Sequence, residues 1–249
     1  MKHLFARTTA VAALSLASFY PASAAALDVR LTDYLAYVEV EYQGEAVRVQ
    51  RIQDQENTLT DGFAKTSRKC PPFCIQPMQV ALGVETVGEA EIFRFMDREM
   101  ASGDGVLVDA RTPSWFGKGT IPGSVNIPFT VFEKGVDEPE LVEALKALGG
   151  QPRGEVGGMT RSLESAMAAM DLFGAGMKTD QWDFSEAMDV VFWCNGPWCG
   201  QSPRAIRALL AHGYPAEKLR YYRGGMQMWK ILGLTVVVPE SGEKSVAMK

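Results

Sequence analysis

Residues 190–203 read VVFWCNGPWCGQSP, and the interpretation of the whole chain starts from this stretch. Its first four residues, Val190–Trp193, form a continuous apolar run that is typical of a parallel strand buried on both faces. At the other end, Ser202 suits the N-cap of a helix and Pro203 suits the first helical position. The sequence therefore predicts a strand, then a Gly/Pro-containing loop that holds two cysteines, and then a helix.

Two other apolar runs predict further strands of the same kind. Val106–Ala110 and Leu219–Tyr222 are short and strongly apolar, and glycine-containing turns or helical segments separate them. Glu138–Leu148 has its leucines at helical spacing and predicts a helix. Strands that alternate with helices in this way predict an α/β fold, with a parallel sheet flanked by helices.

The region of residues 25–87 has a different pattern and predicts a small β-containing extension. Tyr37–Tyr42 and Ala46–Val49 alternate apolar and polar residues on either side of Gln43-Gly44, which predicts a β-hairpin. Further on, three prolines in residues 69–77 exclude a helix and predict a rigid, extended Cys-Pro-rich loop.

The N-terminus has the layout of a secretory signal peptide. Lys2 and Arg7 precede a short apolar run, and Ala22-Ser23-Ala24 offers a cleavage site. We therefore expect residues 1–24 to be removed and the mature protein to be periplasmic or secreted. Residues 239–249 are predicted to be a C-terminal tail.

The composition excludes several classes of protein. The chain has 249 residues, a formal net charge of −5 and 47% hydrophobic residues, as a globular protein with a buried core would have. A net negative charge makes a nucleic acid an unfavourable partner. Beyond the signal peptide, no apolar run is long enough to predict a membrane span.

The chain has four cysteines, and their number and spacing leave three pairings open. Cys70 and Cys74 are candidates for a local disulfide, which would be either a second redox pair near the active loop or a tether for the N-terminal region. Cys194 and Cys199 form the other local pair, and a permanent disulfide there would only fix the loop. The spacings match no common zinc module, so neither a metal nor a cofactor is predicted.

The loop that follows Trp193 has the features of a reactive site. The start of a helix presents unpaired N–H groups and a partial positive charge, and both favour a thiolate. Loop amides can also hold an oxyanion or a persulfide, and ligands of open α/β sheets bind beyond the carboxyl ends of the strands. Cys194 and Cys199 are therefore the candidate catalytic residues. The predicted substrate-binding residues are Asn195, Gly196, Trp198, Gly200, Gln201 and Ser202.

Several motifs outside this loop occur in an order that is typical of one family. They are Val106–Arg111, Gly119–Pro128, Gly213-Tyr214, and Tyr222–Gly225 followed by Trp229 and Gly233. With the loop, they make residues 88–238 resemble a rhodanese-like domain, with Thr120 where the family usually has histidine. Asp109 and Arg111, at the end of the first of these motifs, are predicted to form an ion pair or a loop anchor.

The resemblance implies a sulfurtransferase. In that family a loop cysteine takes up a sulfane sulfur as a persulfide and passes it to a thiophile, and Cys194 stands at the matching strand end. The loop departs from the family pattern because seven residues separate Cys194 from Ser202, where the family has five before the helix. It also holds no arginine or lysine, since Arg204 lies beyond the predicted cap.

A second loop cysteine suggests a second step. Cys199 could attack a persulfide on Cys194, close a disulfide and release the sulfur, although the reverse assignment of roles stays open. The expected partners are a small sulfur-containing anion or a thiol acceptor, and a periplasmic redox or sulfur-carrier protein. The alternative is a rhodanese-like module that binds an anion or a partner without turnover, with disulfides that only hold its shape.

Overall fold

A computed structural model describes residues 27–59, 61–170 and 178–239. The predicted signal peptide and the predicted tail from residue 240 onwards lie outside the described residues. The boundaries proposed at residues 25, 88 and 238 therefore stay predictions. Within the described residues, no helix is both long and apolar enough to cross a bilayer.

Strands and helices alternate along most of the described chain. The strands are β1 (Tyr37–Tyr42), β2 (Glu45–Gln50), β3 (Glu85–Val87), β4 (Gly105–Asp109), β5 (Ser124–Asn126), β6 (Gln151–Pro152), β7 (Trp182–Asp183), β8 (Asp189–Trp193) and β9 (Leu219–Tyr222). The helices are α1 (Glu89–Phe95), α2 (Pro113–Phe116), α3 (Phe129–Phe132), α4 (Pro139–Ala147), α5 (Gly158–Ala169), α6 (Gln201–Ala211) and α7 (Gly225–Ile231). A π-helical turn, Met96–Met100, continues α1, and short 3-10 turns lie at Gly62–Ala64 and Ala216–Lys218.

The centre of the fold is a five-stranded sheet in the order β3-β9-β8-β4-β5, and each neighbouring pair is parallel. The predicted strands at residues 106–110, 190–193 and 219–222 are its three inner strands, so the predicted α/β class is confirmed. The edge strands β3 and β5 have three residues each. The sequence did not predict them because three residues are too few to show a periodicity.

Side chains of the inner strands alternate between two apolar layers. Val106 and Val108 point into a layer that α3, α4 and α6 complete, while Leu107 points into the opposite layer with α1 and α7. Both faces of the sheet are covered, as a parallel sheet requires. The predicted helix at residues 138–148 is observed as α4, whose Leu141 and Leu145 are fully buried.

The predicted hairpin is confirmed as the antiparallel pair β1–β2, and it packs against the layer that contains α1 and α7. Val38, Val40 and Val49 are buried in that layer. The segment after β2 is joined to the chain that follows α7, since the Ile52 amide donates to the Gly233 carbonyl at 2.7 Å. The N-terminal extension is therefore packed on the α/β sheet layer rather than separate from it.

A buried ion pair fixes the carboxyl end of β4, as the sequence predicted. Arg111 donates to both carboxylate oxygens of Asp109, at 2.8 and 2.6 Å, and the two side chains are at most 1% exposed. Thr120, which replaces the usual histidine, donates to the same carboxylate at 3.0 Å. Arg111 also donates to the Asn195 side-chain oxygen at 3.4 Å, so this pair reaches the cysteine-containing loop.

Removing this guanidinium should strongly destabilise the protein. We expect Arg111→Met to lower the free energy of unfolding by about 3–5 kcal/mol, because the Asp109 charge would stay buried without its partner. The measurement is urea unfolding followed by circular dichroism. Arg204→Met is the control: that exposed arginine pairs with Glu133 at the surface and should contribute about 1 kcal/mol or less. Equal losses in the two variants would contradict the anchoring role of Arg111.

Candidate active site

The cysteine-containing loop begins where β8 ends, at the carboxyl edge of the sheet. The Trp193 carbonyl accepts a hydrogen bond from the Ala110 amide at 3.0 Å, which keeps β4 and β8 in register up to their last residues. Cys194 follows at once, and it lies between the starts of α6 and α7. The strand–loop–helix unit predicted from residues 190–203 is therefore present.

The start of α7 holds the first two residues of the loop. The Met226 amide donates to the Cys194 carbonyl at 2.9 Å, and the Gln227 amide donates to the Asn195 carbonyl at 3.0 Å. This close approach requires glycine at position 225, where φ is +52° and a Cβ would lie 2.2 Å from the Cys194 carbonyl oxygen. Gly225, the first residue of α7, therefore allows the helix to hold the loop.

The helix after the loop begins earlier than the sequence predicted. Gly200 is its N-cap, and the Arg204 amide makes a helical hydrogen bond to the Gly200 carbonyl at 3.1 Å. Prediction of Ser202 as the N-cap is therefore wrong, and Pro203 is the third helical residue rather than the first. Five residues, not seven, separate Cys194 from the residue that precedes the helix, so the apparent excess in loop length disappears.

The Ser202 side chain contacts Cys194. Its side chain is fully buried, and its hydroxyl donates to the Cys194 sulfur at 3.1 Å. Ser202 is the second residue of α6 rather than its N-cap, and no side chain caps this helix. Ser202 is therefore placed where it can stabilise negative charge on Cys194.

Cys194 is the more acidic of the two loop thiols. Burial by itself raises the pKa of Cys194, but several hydrogen bonds outweigh it and lower that pKa to about 7. The opposing hydrogen bonds come from the Cys199 thiol, from the hydroxyl and amide of Ser202, and from the Gly196 amide. A substantial fraction of Cys194 is thiolate at neutral pH, which is the form that acts as a nucleophile.

Cys199 has the opposite character. Burial raises the pKa of Cys199 well above its usual value, and the hydrogen bond and negative charge of Cys194 raise it further. The Cys199 thiol also interacts with the side-chain oxygen of Gln201 at 3.6 Å. Both loop cysteines are free thiols, so a permanent disulfide between them is not what the structure contains. One thiolate and one thiol lie side by side in a buried site.

The other predicted binding residues differ in what their side chains or amides contact. Asn195 is buried, and its side-chain oxygen accepts a hydrogen bond from Arg111, which joins the loop to the ion pair at the end of β4. The Gly196 amide points toward Cys194, and Gln201 contacts Cys199. Trp198 is half-buried, packs against the apolar layer that contains α1 and α7, and contacts Phe73 of the N-terminal extension. Gly200 lies next to the Gln76 side chain, since a Cβ at Gly200 would be 3.5 Å from its amide nitrogen.

Residues 68–76 of the extension, which we call the strap, cover this loop. The Phe73 ring contacts the Trp198 ring edge-on at 5.3 Å, and the Arg68 guanidinium lies over the same indole at 4.4 Å. The Gln76 amide donates to the Pro197 carbonyl at 2.7 Å, and Arg223 donates to the Gln76 carbonyl at 2.8 Å. These contacts, rather than a disulfide to another element, fasten the strap to the sheet domain.

A disulfide joins Cys70 to Cys74 inside the strap, with their Cα atoms 4.6 Å apart. The predicted local pairing is therefore present. Both cysteines belong to the same short segment. The disulfide shapes the segment that lies on the active loop, and the choice between a tether and a second redox pair stays a prediction.

Sequence reasoning missed Tyr221 as a neighbour of the site. Its side chain is almost fully buried, and no hydrogen-bond partner of its hydroxyl is found among the described residues. Burial raises the pKa of Tyr221, and negative charge on Cys194 raises it further. No sequence signal could have found it, because an apolar strand with two tyrosines is equally well explained by core packing.

The predicted absence of a loop cation is consistent with where the nearby arginines lie. Arg204 is exposed and donates to the Glu133 carboxylate at 2.7 Å, so it points away from Cys194. Arg68 reaches the loop from the strap, but it contacts Trp198 rather than a cysteine. Stabilisation of a thiolate at Cys194 is therefore supplied by amides, a hydroxyl and a neighbouring thiol.

Comparison with known proteins identifies the family of the sheet domain. Residues 95–232 match the sequence profile of the rhodanese-like domain. That match covers more than half of the chain, and the chain therefore belongs to the rhodanese-like domain family. No protein with a curated description matches it.

Several solved structures are similar to the chain at low sequence identity. The human single-domain sulfurtransferase TSTD1 is 22% identical, over 59% of this chain and 96% of that one, with a TM-score of 0.34. A thiosulfate sulfurtransferase from Pseudomonas aeruginosa is 16% identical, over 62% of this chain and 20% of that one, with a TM-score of 0.35. RPA3614 from Rhodopseudomonas palustris is described as a protein of unknown function and possible tyrosine phosphatase. It is 17% identical, over 74% of this chain and 100% of that one, with a TM-score of 0.37.

The Ser202 hydroxyl should set the acidity of Cys194. We expect Ser202→Ala to raise the pKa of Cys194 by about 1–2 pH units, because a hydrogen bond to a charged group contributes about 1.5–3 kcal/mol. The thiolate fraction at pH 7 would fall accordingly, and it would recover at higher pH. The measurement is ultraviolet absorbance of the thiolate as a function of pH, with the Cys194→Ser protein as the blank.

Ser185→Ala is a matched control for this titration, because that serine is exposed and hydrogen-bonds Asp183. It should leave the Cys194 titration unchanged. A Ser202→Ala protein that titrates like the unmodified protein would show that the hydroxyl does not stabilise the thiolate.

Proposed function

We propose that this protein is a sulfurtransferase or thiol-dependent sulfur carrier in which Cys194 carries sulfane sulfur as a persulfide and Cys199 resolves it. The observation that carries the proposal is the pair of buried, free thiols with opposite pKa shifts at the carboxyl end of the sheet. The N-terminal sequence further supports export, so we propose that the protein works in the periplasm or outside the cell.

The first step uses the acidity of Cys194. Its thiolate attacks the outer sulfur of a donor such as thiosulfate or a persulfide, and the sulfur–sulfur bond of the donor breaks. Sulfite or a thiol leaves with the bonding electrons, and Cys194 keeps the transferred sulfur as a persulfide. The Gly196 amide and the Ser202 hydroxyl and amide lower the pKa of the Cys194 thiol, and we expect the same groups to stabilise the negative charge of the persulfide.

The persulfide then has two routes of release. An external thiol acceptor can attack the outer sulfur, which leaves on the acceptor and returns Cys194 to the thiolate form. Alternatively, Cys199 loses its proton and attacks the Cys194 sulfur, so that hydrosulfide leaves and a Cys194–Cys199 disulfide forms. In the second route the transferred sulfur is reduced to sulfide, and the two thiols are oxidised.

A second candidate function rests on the burial of the Cys194 and Cys199 side chains. Cys194 is 2% exposed and Cys199 is 5% exposed, and the loop holds no cationic side chain for an anionic donor. Such burial would also suit a rhodanese-like module that binds a small anion or a protein partner without turnover. The two functions differ in whether a sulfur atom becomes covalently attached to Cys194.

Mass spectrometry tests the covalent step. After incubation with thiosulfate or polysulfide, we expect the protein to gain the mass of one sulfur, and peptide mapping to place it on Cys194. Cys194→Ser should lose the adduct, because the nucleophile is gone. Cys199→Ser should retain the adduct and accumulate it, because the resolving thiol is gone.

The products that the unmodified protein forms in the absence of a reductant complete this test. We expect sulfide to be released, and a Cys194–Cys199 disulfide to be found by peptide mapping. If neither donor adds sulfur to Cys194 at any pH above 7, the binding function replaces the sulfurtransferase proposal. An adduct on Cys199 in the Cys194→Ser protein would instead reverse the assigned roles.

A further inference from the structure

The two cysteine pairs of this protein differ in oxidation state and in exposure. Cys194 and Cys199 are free thiols and almost completely buried, whereas Cys70 is exposed and its disulfide partner Cys74 is half-buried. Thiol–disulfide exchange requires direct contact between the attacking sulfur and a disulfide sulfur. A protein reductant could therefore reach the Cys70–Cys74 pair, while a Cys194–Cys199 disulfide would lie beneath the surface.

The strap brings residues that flank its disulfide into contact with residues that flank Cys199. Phe73, which precedes Cys74, contacts Trp198, which precedes Cys199. On the other side, the Gln76 amide hydrogen-bonds the Pro197 carbonyl, and the Gln76 side chain lies beside Gly200. Every one of these contacts joins a near neighbour of Cys74 to a near neighbour of Cys199.

The strap contains neither helix nor strand. Its described contacts with the loop are those of Phe73 and Arg68 with Trp198, the backbone hydrogen bond from Gln76, and the approach of the Gln76 side chain to Gly200. The loop beneath it is held by β8 and α7 from the opposite side. A displacement that brings Cys74 onto Cys199 therefore needs a change in the strap and leaves the sheet intact.

We propose that Cys70 and Cys74 are a shuttle pair that passes electrons from an external protein dithiol to a Cys194–Cys199 disulfide. This inference rests on the proposed function, because that function produces the loop disulfide. It adds a second redox site and a class of partner, a dithiol protein, to the sulfur chemistry of the loop.

The exchange balances in atoms and electrons. The Cys74 thiolate of the reduced strap attacks the Cys199 sulfur, the Cys194–Cys199 bond breaks, and Cys194 leaves as a thiolate. Cys70 then attacks the Cys74 sulfur of the mixed disulfide, which closes the strap disulfide and releases Cys199. Two electrons and two protons pass from the strap to the loop pair, and an external protein dithiol reduces the strap again.

The structure corresponds to the state after this exchange, with the strap oxidised and the loop reduced. The direction of attack also agrees with the acidities of the loop thiols. A thiol with a lower pKa is the better leaving group, and Cys194 is the more acidic member of its pair. Attack is therefore favoured at Cys199, which is the cysteine whose neighbours contact the strap.

A trapping experiment tests the approach of the two pairs. In the Cys70→Ser, Cys194→Ser protein, each pair keeps one cysteine, and mild oxidation with diamide should join Cys74 to Cys199. The matched control is the Cys74→Ser, Cys194→Ser protein, which keeps Cys70 and Cys199 and should cross-link at least fivefold less, because the contacts with the loop flank Cys74. Peptide mapping identifies the bond, and failure of Cys74 and Cys199 to join would overturn the proposal.

A kinetic experiment tests the direction of electron flow. The unmodified protein and the Cys70→Ser, Cys74→Ser protein are first oxidised to the Cys194–Cys199 disulfide, and each is then mixed with reduced thioredoxin as the protein dithiol. We expect the loop disulfide to be reduced at least tenfold more slowly in the variant. Circular dichroism and sulfur loading of Cys194 verify that the variant is folded.

Reduction of the variant at the same rate as the unmodified protein, or faster, would overturn the shuttle. This outcome is distinct from failure of the proposed function. If Cys194 takes up sulfur but the strap variant is reduced normally, the sulfurtransferase stands and the shuttle fails. If Cys194 takes up no sulfur but the Cys74–Cys199 bond forms and reduction slows in the variant, the shuttle stands and the sulfurtransferase fails.

Discussion

The hydrogen bonds from the start of α7 to the Cys194 and Asn195 carbonyls are the constraint on which the site depends. They fix the loop backbone so that the Gly196 amide points toward the Cys194 sulfur. Only glycine at position 225 allows the helix to come this close. The acidity of Cys194 thus depends on a residue that touches no sulfur, and the strand, the loop and both helices act as one unit.

The buried Asp109–Arg111 ion pair anchors the loop to the end of β4. It joins the end of β4 to the Gly119 carbonyl and to Asn195, so the charged network lies directly below the loop. Thr120 completes the network with a hydroxyl, which explains how the chain can lack the histidine that is usual at this position. The family motifs outside the loop therefore act on the site through backbone placement, without contributing reacting groups.

The sequence predicted the inner strands, α4, the hairpin and the cysteine loop correctly, because each has a long or strongly patterned run. It misplaced the start of α6, since Ser202 has the side chain of a good N-cap but is already the second residue of a helix that begins after Gly200. It could not place the strap, because the contacts of Phe73 and Gln76 with the loop join residues that are far apart in the chain. The sequence also could not predict the difference in pKa between the Cys194 and Cys199 thiols. That difference arises from burial and from the amides that face each sulfur.

The hairpin of the N-terminal extension has a consequence for how the protein loses its structure. Three of its valines are part of the apolar layer beneath α1 and α7, and the chain after it is bonded to the segment that follows α7. Separation of the hairpin would open the apolar layer that its valines share with Trp229 and Leu234. Unfolding of the hairpin and of the central sheet is therefore coupled into one cooperative event.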